Sequence, residues 1–189
     1  MLFRSIVWTD TAVWAMQYSG PPYVYQFNEL GTGCGLIARK AACVLNGVIY
    51  WMGESQFFML SGNSPQSIPC PIWDVIFQDL DTNHLDKIRV APNSNFMEIS
   101  WFYPSKHNSG EINRYVKFNA LLNIWDFGTL SRTAWINQSV FGPPIAAGIT
   151  TDNKYYVYQH ETSPDADGTV MDSWFQTGYF QISEAEYKV

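Results

Sequence analysis

The sequence predicts an all-β protein built from antiparallel sheets, and three observations predict it. Apolar residues fall in short runs bounded by turn-forming residues, with no long stretch at helical spacing. Those runs are rich in Val, Ile, Tyr, Phe and Trp, the side chains that pack best on a pleated surface. Asn46-Gly47 stands between Ala42-Cys43-Val44-Leu45 and Val48-Ile49-Tyr50-Trp51-Met52, where it supplies the two positive-φ positions of a type I′ hairpin turn.

Taken in order, the runs predict strands at Phe3 to Trp8, Ala12 to Gln17 and Tyr23 to Phe27, then the hairpin strands 42–45 and 48–52. A further strand follows at Gln56 to Leu60, with Ser61-Gly62-Asn63 as its exit turn. After Pro71 the pattern changes. Ile72 to Leu80 places apolar residues three and four apart behind a helix-starting proline, which predicts one short helix or 3₁₀ turn with Asp74 at the positive end of its dipole. Strands resume at Lys87 to Ala91, Met97 to Tyr103, Arg114 to Asn119, Ile145 to Thr150, Lys154 to Gln159 and Thr177 to Ile182. Ser64-Pro65, Pro69 to Pro71, Ser105 to Gly110, Gly142-Pro143-Pro144 and Ser163 to Gly168 read as short loops between sheet units. The 189 residues are therefore expected to form a single all-β domain over 1–189.

A loose repeat underlies these strands. Val48 to Trp51, Glu98 to Trp101 and Lys154 to Val157 each read as an inner strand ending in aromatics, with Trp51 and Trp101 spaced by 50 residues and Trp101 and Tyr155 by 54. Each is followed by a second aromatic segment, at Phe57 to Leu60, Tyr115 to Phe118 and Gly178 to Gln181. A period of about fifty residues with several short strands per unit is that of a β-propeller blade, although a sandwich imitates it. Blades stack face to face, and large aromatics fill the wedge between them. Eight Trp, eleven Tyr and twelve Phe meet that demand. The expectation is three to four blade-like units, so that the ring is open or small, or the chain is part of a longer polypeptide.

Composition narrows the function classes. Apolar residues make up 47% and charged ones 15%, which excludes disorder and coiled coil. A net charge of −6, with Arg39-Lys40 the one adjacent basic pair, disfavours sequence-specific nucleic-acid binding and anionic membranes. Cys34, Cys43 and Cys70 form neither a CxxC pair nor an even framework, so reduced packing cysteines are expected. The start Met1 to Asp10 reaches a charge before an apolar core forms, which predicts no signal peptide, and no window approaches the length of a membrane span.

Candidate chemistry is sparse. His84, His107 and His160 lie in presumed loops and a strand end, and His160-Glu161 lacks the second histidine of a zinc-protease motif. Asp165-Ala166-Asp167-Gly168 resembles a calcium loop, but the twelfth position is Gln176, so a hairpin turn at Asp167-Gly168 is preferred. Gly31-Thr32-Gly33-Cys34-Gly35 is no phosphate cradle and reads as a turn between sheet units. Glu54, Asp74, Glu98, Glu111 and Asp126 lie near aromatics and are the carboxylates from which a glycosidase pair would be drawn. Trp101 to Pro104 and Asn123 to Asp126 read as core before partner-binding edges. Asn137-Gln138-Ser139 matches a glycosylation acceptor without a secretory context. No catalytic, cofactor-binding or metal residue is assigned.

Several strings carry a resemblance. Leu30-Gly31-Thr32-Gly33-Cys34-Gly35-Leu36-Ile37, Gly47 to Gly53, Met97 to Ser105, Arg114-Tyr115-Val116 with Asn123-Ile124-Trp125, Gly128 through Ser131-Arg132-Thr133-Ala134, and Tyr156 to Glu161 resemble β-propeller virion proteins of short-tailed bacteriophages. The resemblance covers most of the chain. It implies a tail hub, nozzle or DNA-stabilisation protein that assembles in the host cytoplasm as rings around the DNA channel, with copies of itself and other tail or portal proteins as partners and no catalytic residue. An acidic lining fits such a conduit, since every Lys or Arg gripping phosphate would add to the barrier of ejection. The alternative is a carbohydrate-binding or glycoside-cleaving propeller.

Overall fold

The computed structural model describes residues 4–140, 142–150, 154–166, 168–170, 180–183 and 186–188. It is all-β apart from one short helix and a 3₁₀ turn, and its main body is four antiparallel meanders taken in chain order. Sheet 1 contains β1 (Arg4–Trp8), β2 (Ala12–Tyr18) and β3 (Tyr25–Thr32). Sheet 2 contains β4 (Ala42–Leu45), β5 (Val48–Met52), β6 (Phe57–Leu60) and β7 (Pro65–Ile68). Residues 69–88 then carry helix α1 (Trp73–Asp79) and the 3₁₀ turn Thr82–Lys87. Sheet 3 follows as β8 (Arg89–Asn93), β9 (Glu98–Pro104), β10 (Ile112–Asn119) and β11 (Ile124–Thr129). Sheet 4 is β12 (Ala134–Ile136), β13 (Ile145–Ile149) and β14 (Tyr155–Gln159). Two small hairpins come after it: β15 (Asp165–Ala166) with β16 (Thr169–Val170), and β17 (Phe180–Ser183) with β18 (Glu186–Lys188).

Local chemistry accounts for the best-defined elements. Asn46 and Gly47 both take positive φ, 53° and 79°, and close β4 onto β5 in register from Leu45–Val48 to Ala42–Trp51. Helix α1 begins two residues after Pro71, holds Asp74 in its first turn and drives Ile76 into the core. The Asp81 side chain opens the 3₁₀ turn by accepting from the Asn83 amide at 3.0 Å.

Some expectations are corrected. Residues 31–32 belong to β3, so only Gly33 to Gly35 of the glycine string lies in the turn between sheets, and β3 starts at Tyr25. Ser64-Pro65 is not purely a loop: Pro65 starts β7, an edge strand where a missing N–H costs no ladder bond. Residue 87 ends the 3₁₀ turn, and β8 begins at Arg89. β11 and β12 are additional strands, and Asp165–Ala166 pairs with Thr169–Val170 within the expected Ser163 to Gly168 loop. The third repeat unit lies one strand out of phase, because Tyr155 is in the third strand of sheet 4, whereas Trp51 and Trp101 are in the second strands of sheets 2 and 3. Phe3, Asp167 and Thr177 to Tyr179 lie outside the described residues.

The four sheets stack face to face in chain order. Val13, Ile6, Trp8 and Leu30 of sheet 1 pack against Trp51, Phe58 and Leu60 of sheet 2. The opposite face of sheet 2, with Tyr50, Met52 and Phe57, meets Ile99, Trp101, Val116 and Phe118 of sheet 3, with Ile76 of α1 joining the same cluster. Ala91, Phe102 and Tyr115 of sheet 3 then meet Trp135 of sheet 4. The first strands converge, since β8 lies beside β4 on one side and β12 on the other.

Indole N–H groups tie each layer to the one before. Trp51 donates to the Cys34 carbonyl at 2.9 Å, Trp101 to Ala41 at 2.9 Å, Trp125 to Pro69 at 2.9 Å and Trp135 to Pro92 at 2.8 Å. Every one of these bonds runs backwards along the chain, from a later sheet to an earlier strand or linker. The bonds to Cys34 and Ala41 are buried, and there the indole satisfies a carbonyl that packing strips of water. Trp8 differs from these four: its indole nitrogen is buried with no partner, while its ring meets Trp51 edge-on at 5.9 Å.

Candidate functional site

A polar cluster lies where sheets 3 and 4 meet. β8 contributes Asn93, β9 Glu98, β10 Tyr115 and Lys117, the short β11–β12 link Arg132, and the end of β14 Tyr158, His160 and Glu161. These side chains line a cavity of about 120 Å³ between the sheets and a wider cleft of about 980 Å³ at the β14 edge.

Arg132 organises the cluster. Its Nε donates to His160 Nε2 at 2.9 Å, its terminal nitrogen donates to the Ser131 carbonyl at 2.8 Å, and its guanidinium lies 4.1 Å over the Tyr158 ring. The close fit needs Gly148, where an added Cβ would stand 2.5 Å from the Ser131 carbonyl oxygen and 2.9 Å from the guanidinium. The Trp135 ring centre lies 4.8 Å from that of His160, and the His160 amide donates to the Pro144 carbonyl. Burial, then the Arg132 and Lys117 charges, hold His160 down at about 4. Its imidazole is therefore neutral at pH 7, with Nε2 accepting and the proton on Nδ1. Burial also lowers Arg132.

The remaining polar groups are matched locally. Asn93 donates to Glu161 at 3.1 Å, Lys117 pairs with Glu98 at 3.0 Å, and Tyr115 donates to Asp126 at 3.1 Å. Burial pushes the Tyr115 hydroxyl up to about 12, aided by the Asp126 charge. The lone pair a general base would use, His160 Nε2, is taken by a guanidinium. The bonds of this cluster run between sheets 3 and 4 and the links beside them, from Arg132 to His160 and from Asn93 to Glu161.

The five carboxylates weighed for a glycosidase pair lie apart in role. Glu98 pairs with Lys117, Glu111 with Lys87, and Asp126 with Tyr115; Asp74 sits in the first turn of α1 and Glu54 in the β5–β6 turn. His84, expected in a solvated turn, contacts Asp81 at 2.7 Å, which draws the Asp81 carboxyl below its ordinary range, together with the Asn83 amide. His107 is exposed. Asp165 accepts from Ser163 at 2.8 Å and from the Gly168 amide at 3.3 Å, the bonding of a turn. Among the described residues no group of three or more His, Cys, Asp or Glu is placed to hold a metal. The three cysteines are free, with Cys34 buried. Trp101, Phe102 and Tyr103 are core, whereas of Asn123 to Asp126, also expected there, only Trp125 is partly buried. No helix among the described residues is long and apolar enough to cross a membrane.

Sequence reasoning missed two features. Arg132 and His160 are 28 residues apart and carry no motif, so only the meeting of β14 with the β11–β12 link joins them. The second is an aromatic face on sheet 1. Val13 and Ala15 point at sheet 2, so the alternate residues Trp14, Met16 and Tyr18 point away from it, with Phe27 and Tyr25 paired beside Met16 and Tyr18. That signal was present in the sequence: β2 is apolar on both faces, as a strand buried on both sides would be.

No protein family matches the chain, and no curated protein sequence matches it.

Proposed function

We propose that this chain is a non-enzymatic structural component of a bacteriophage tail, a hub, nozzle or DNA-retention protein whose sheets act as propeller-like blades around the DNA channel. The observation that carries the reading is the stack itself: consecutive meanders packed face to face, with β4, β8 and β12 side by side at one edge. Blade architecture predicts that arrangement, since successive units turn about an axis lined by their first strands. The polar cluster at the sheet 3–sheet 4 seam supports a mechanical role, because its charges are spent on one another. The net charge of −6 suits a surface that passes DNA without holding it.

The second reading, a carbohydrate-binding or glycoside-cleaving propeller, rests on the exposed rings of Tyr23 and Tyr25. It ranks lower because Val24 and Phe27 share that surface. Quantitative mass spectrometry of purified particles from the host carrying this gene tests the order. Several copies per particle are expected, together with no signal on a glycan array. Absence from particles, with micromolar binding of an oligosaccharide, reverses the two readings.

A further inference from the structure

A second pocket, of about 360 Å³, opens where β4, β8 and β12 run side by side, each an edge strand of its own sheet. Arg39 and Lys40 of the link before β4 line it together with Arg89 at the start of β8, and no carboxylate does. In a chain with 17 acidic residues against 11 basic ones, that gathering runs against composition. Lys87, Arg114 and Lys117 each meet a carboxylate, whereas none of these three cations forms an ion pair among the described residues. The backbone around them is fixed. The Val90 amide donates to the Lys40 carbonyl at 2.9 Å, and the Trp101 indole bonds the neighbouring Ala41 carbonyl, which holds the link against β8. One terminal nitrogen of Arg89 donates to the Asp86 carbonyl at 2.6 Å and to that of Ile88 at 2.8 Å. Those two bonds use both of its hydrogens and set the plane of the guanidinium, which leaves Nε and the other terminal nitrogen as donors to a ligand.

We propose that this pocket binds a terminal phosphate group carried by a small molecule, with Arg39, Lys40 and Arg89 donating to its oxygens. Charge and donor geometry select the class. A phosphate monoester carries about −1.5 to −2 charges at pH 7 and three strong acceptor oxygens, which a trio of cations matches, whereas a carboxylate offers a single charge and two oxygens. A planar guanidinium fork meets two oxygens of such a group at once, and a lysine adds a point charge. The interior phosphates of a nucleic acid carry a single charge each, and they come in a long row that the net charge of −6 repels. A small ligand brings its charge to the pocket alone. Because Arg39 and Lys40 precede sheet 2 and Arg89 opens sheet 3, the bound phosphate ties two layers together, and a ligand held by the folded state alone raises its stability. The pocket is independent of the tail reading, which neither requires a phosphate site nor excludes one.

The test titrates the full chain with sodium phosphate, adenosine diphosphate and a short DNA duplex at constant ionic strength set with chloride, and reads the melting temperature and the amide NMR shifts. Phosphate and the nucleotide are expected to stabilise the chain saturably and to move the amides of Lys40, Ala41, Arg89 and Val90. Arg39→Gln with Lys40→Gln, and separately Arg89→Gln, weaken that binding roughly tenfold or more. Lys106→Gln, which removes an exposed cation outside the pocket, leaves it unchanged. Arg39 and Lys40 are also exposed, so their double variant keeps the parental circular dichroism and decides the matter even where Arg89→Gln destabilises the fold. Tighter binding of the nucleotide than of phosphate identifies a nucleotide as the source of the group, and phosphate bound at least as tightly identifies free phosphate; both uphold the site. Absence of saturation by either compound overturns it, and so does equal weakening by Lys106→Gln, which would reduce the effect to overall charge. Tighter binding of the duplex than of both small ligands, lost in the same variants, also overturns it and turns the pocket into a nucleic-acid site.

Discussion

The Arg132 guanidinium donates from Nε to His160 Nε2 at 2.9 Å, and burial, with that charge beside it, holds the histidine neutral. In the unfolded chain that histidine takes up a proton near pH 6.5, whereas in the fold it does so at about 4. Between those values the unfolded state binds more protons than the native one, so stability is full above pH 6.5 and falls as the solution is acidified towards 4. The group is half-exposed, and solvent screening moderates the size of the effect. Urea midpoints measured from pH 7.5 to 4 are expected to fall, and His160→Gln is expected to flatten that profile. Arg132→Met removes one of the charges that depress His160, so the imidazole titration followed by NMR should move upward.

Trp101 and Trp8 make a matched pair. Both are at sheet interfaces, but Trp101 bonds the Ala41 carbonyl while the buried Trp8 nitrogen has no partner. Trp101→Phe leaves that carbonyl bare at a cost of about 1–3 kcal/mol, with lost packing added. Trp8→Phe removes an unsatisfied donor, which offsets much of its lost contact. Equilibrium urea denaturation should therefore rank Trp101→Phe as clearly the more damaging, and the reverse order would refute the role given to the indole bonds.

Two glycines in the link between sheets 1 and 2 differ in kind. A Cβ on Gly35 would stand 1.9 Å from the Asp10 carbonyl oxygen, a backbone atom that gives way only if the link moves. Gly33 has open space but sits at φ +69°. Gly33→Ala should cost about 1 kcal/mol through conformation alone. Gly35→Ala should cost about 2–3 kcal/mol or more through overpacking. Differential scanning calorimetry of the two variants separates the mechanisms by size.

All three thiols resist ionisation. Burial pushes Cys43 up to about 12 and also raises Cys34 and Cys70. Since the thiolate is the reactive form, N-ethylmaleimide at pH 7 should label the folded chain slowly and the urea-unfolded chain at all three positions. Intact mass spectrometry reads the count directly, and rapid labelling of Cys43 in the native state would contradict its environment.

What the sequence disclosed follows from how local each signal is. The β4–β5 hairpin was legible because Asn46-Gly47 dictates a turn by itself, and α1 because Pro71 and the Ile72, Val75, Ile76 spacing lie within ten residues. β7 was hidden because Pro65 reads as a breaker unless the strand is known to be an edge. β12, three residues long, is defined by its pairing with β13 and not by its own composition. Tyr155 misled the repeat because an aromatic pair in the third strand of one sheet looks like the second strand of another. The Arg132–His160 bond was beyond reach, since neither residue alters the local pattern around the other.

The order of the layers has a consequence for biosynthesis. Each sheet is a contiguous stretch of chain that rests on the one made just before it, so the pairing of no strand in sheets 1 to 4 waits for residues synthesised much later. A nascent chain leaving the ribosome can complete sheet 1, dock sheet 2 when the link carrying Cys34 emerges, and close each backward indole bond as its tryptophan appears. Folding thus keeps pace with translation, and the growing end of the stack presents one new sheet face at a time.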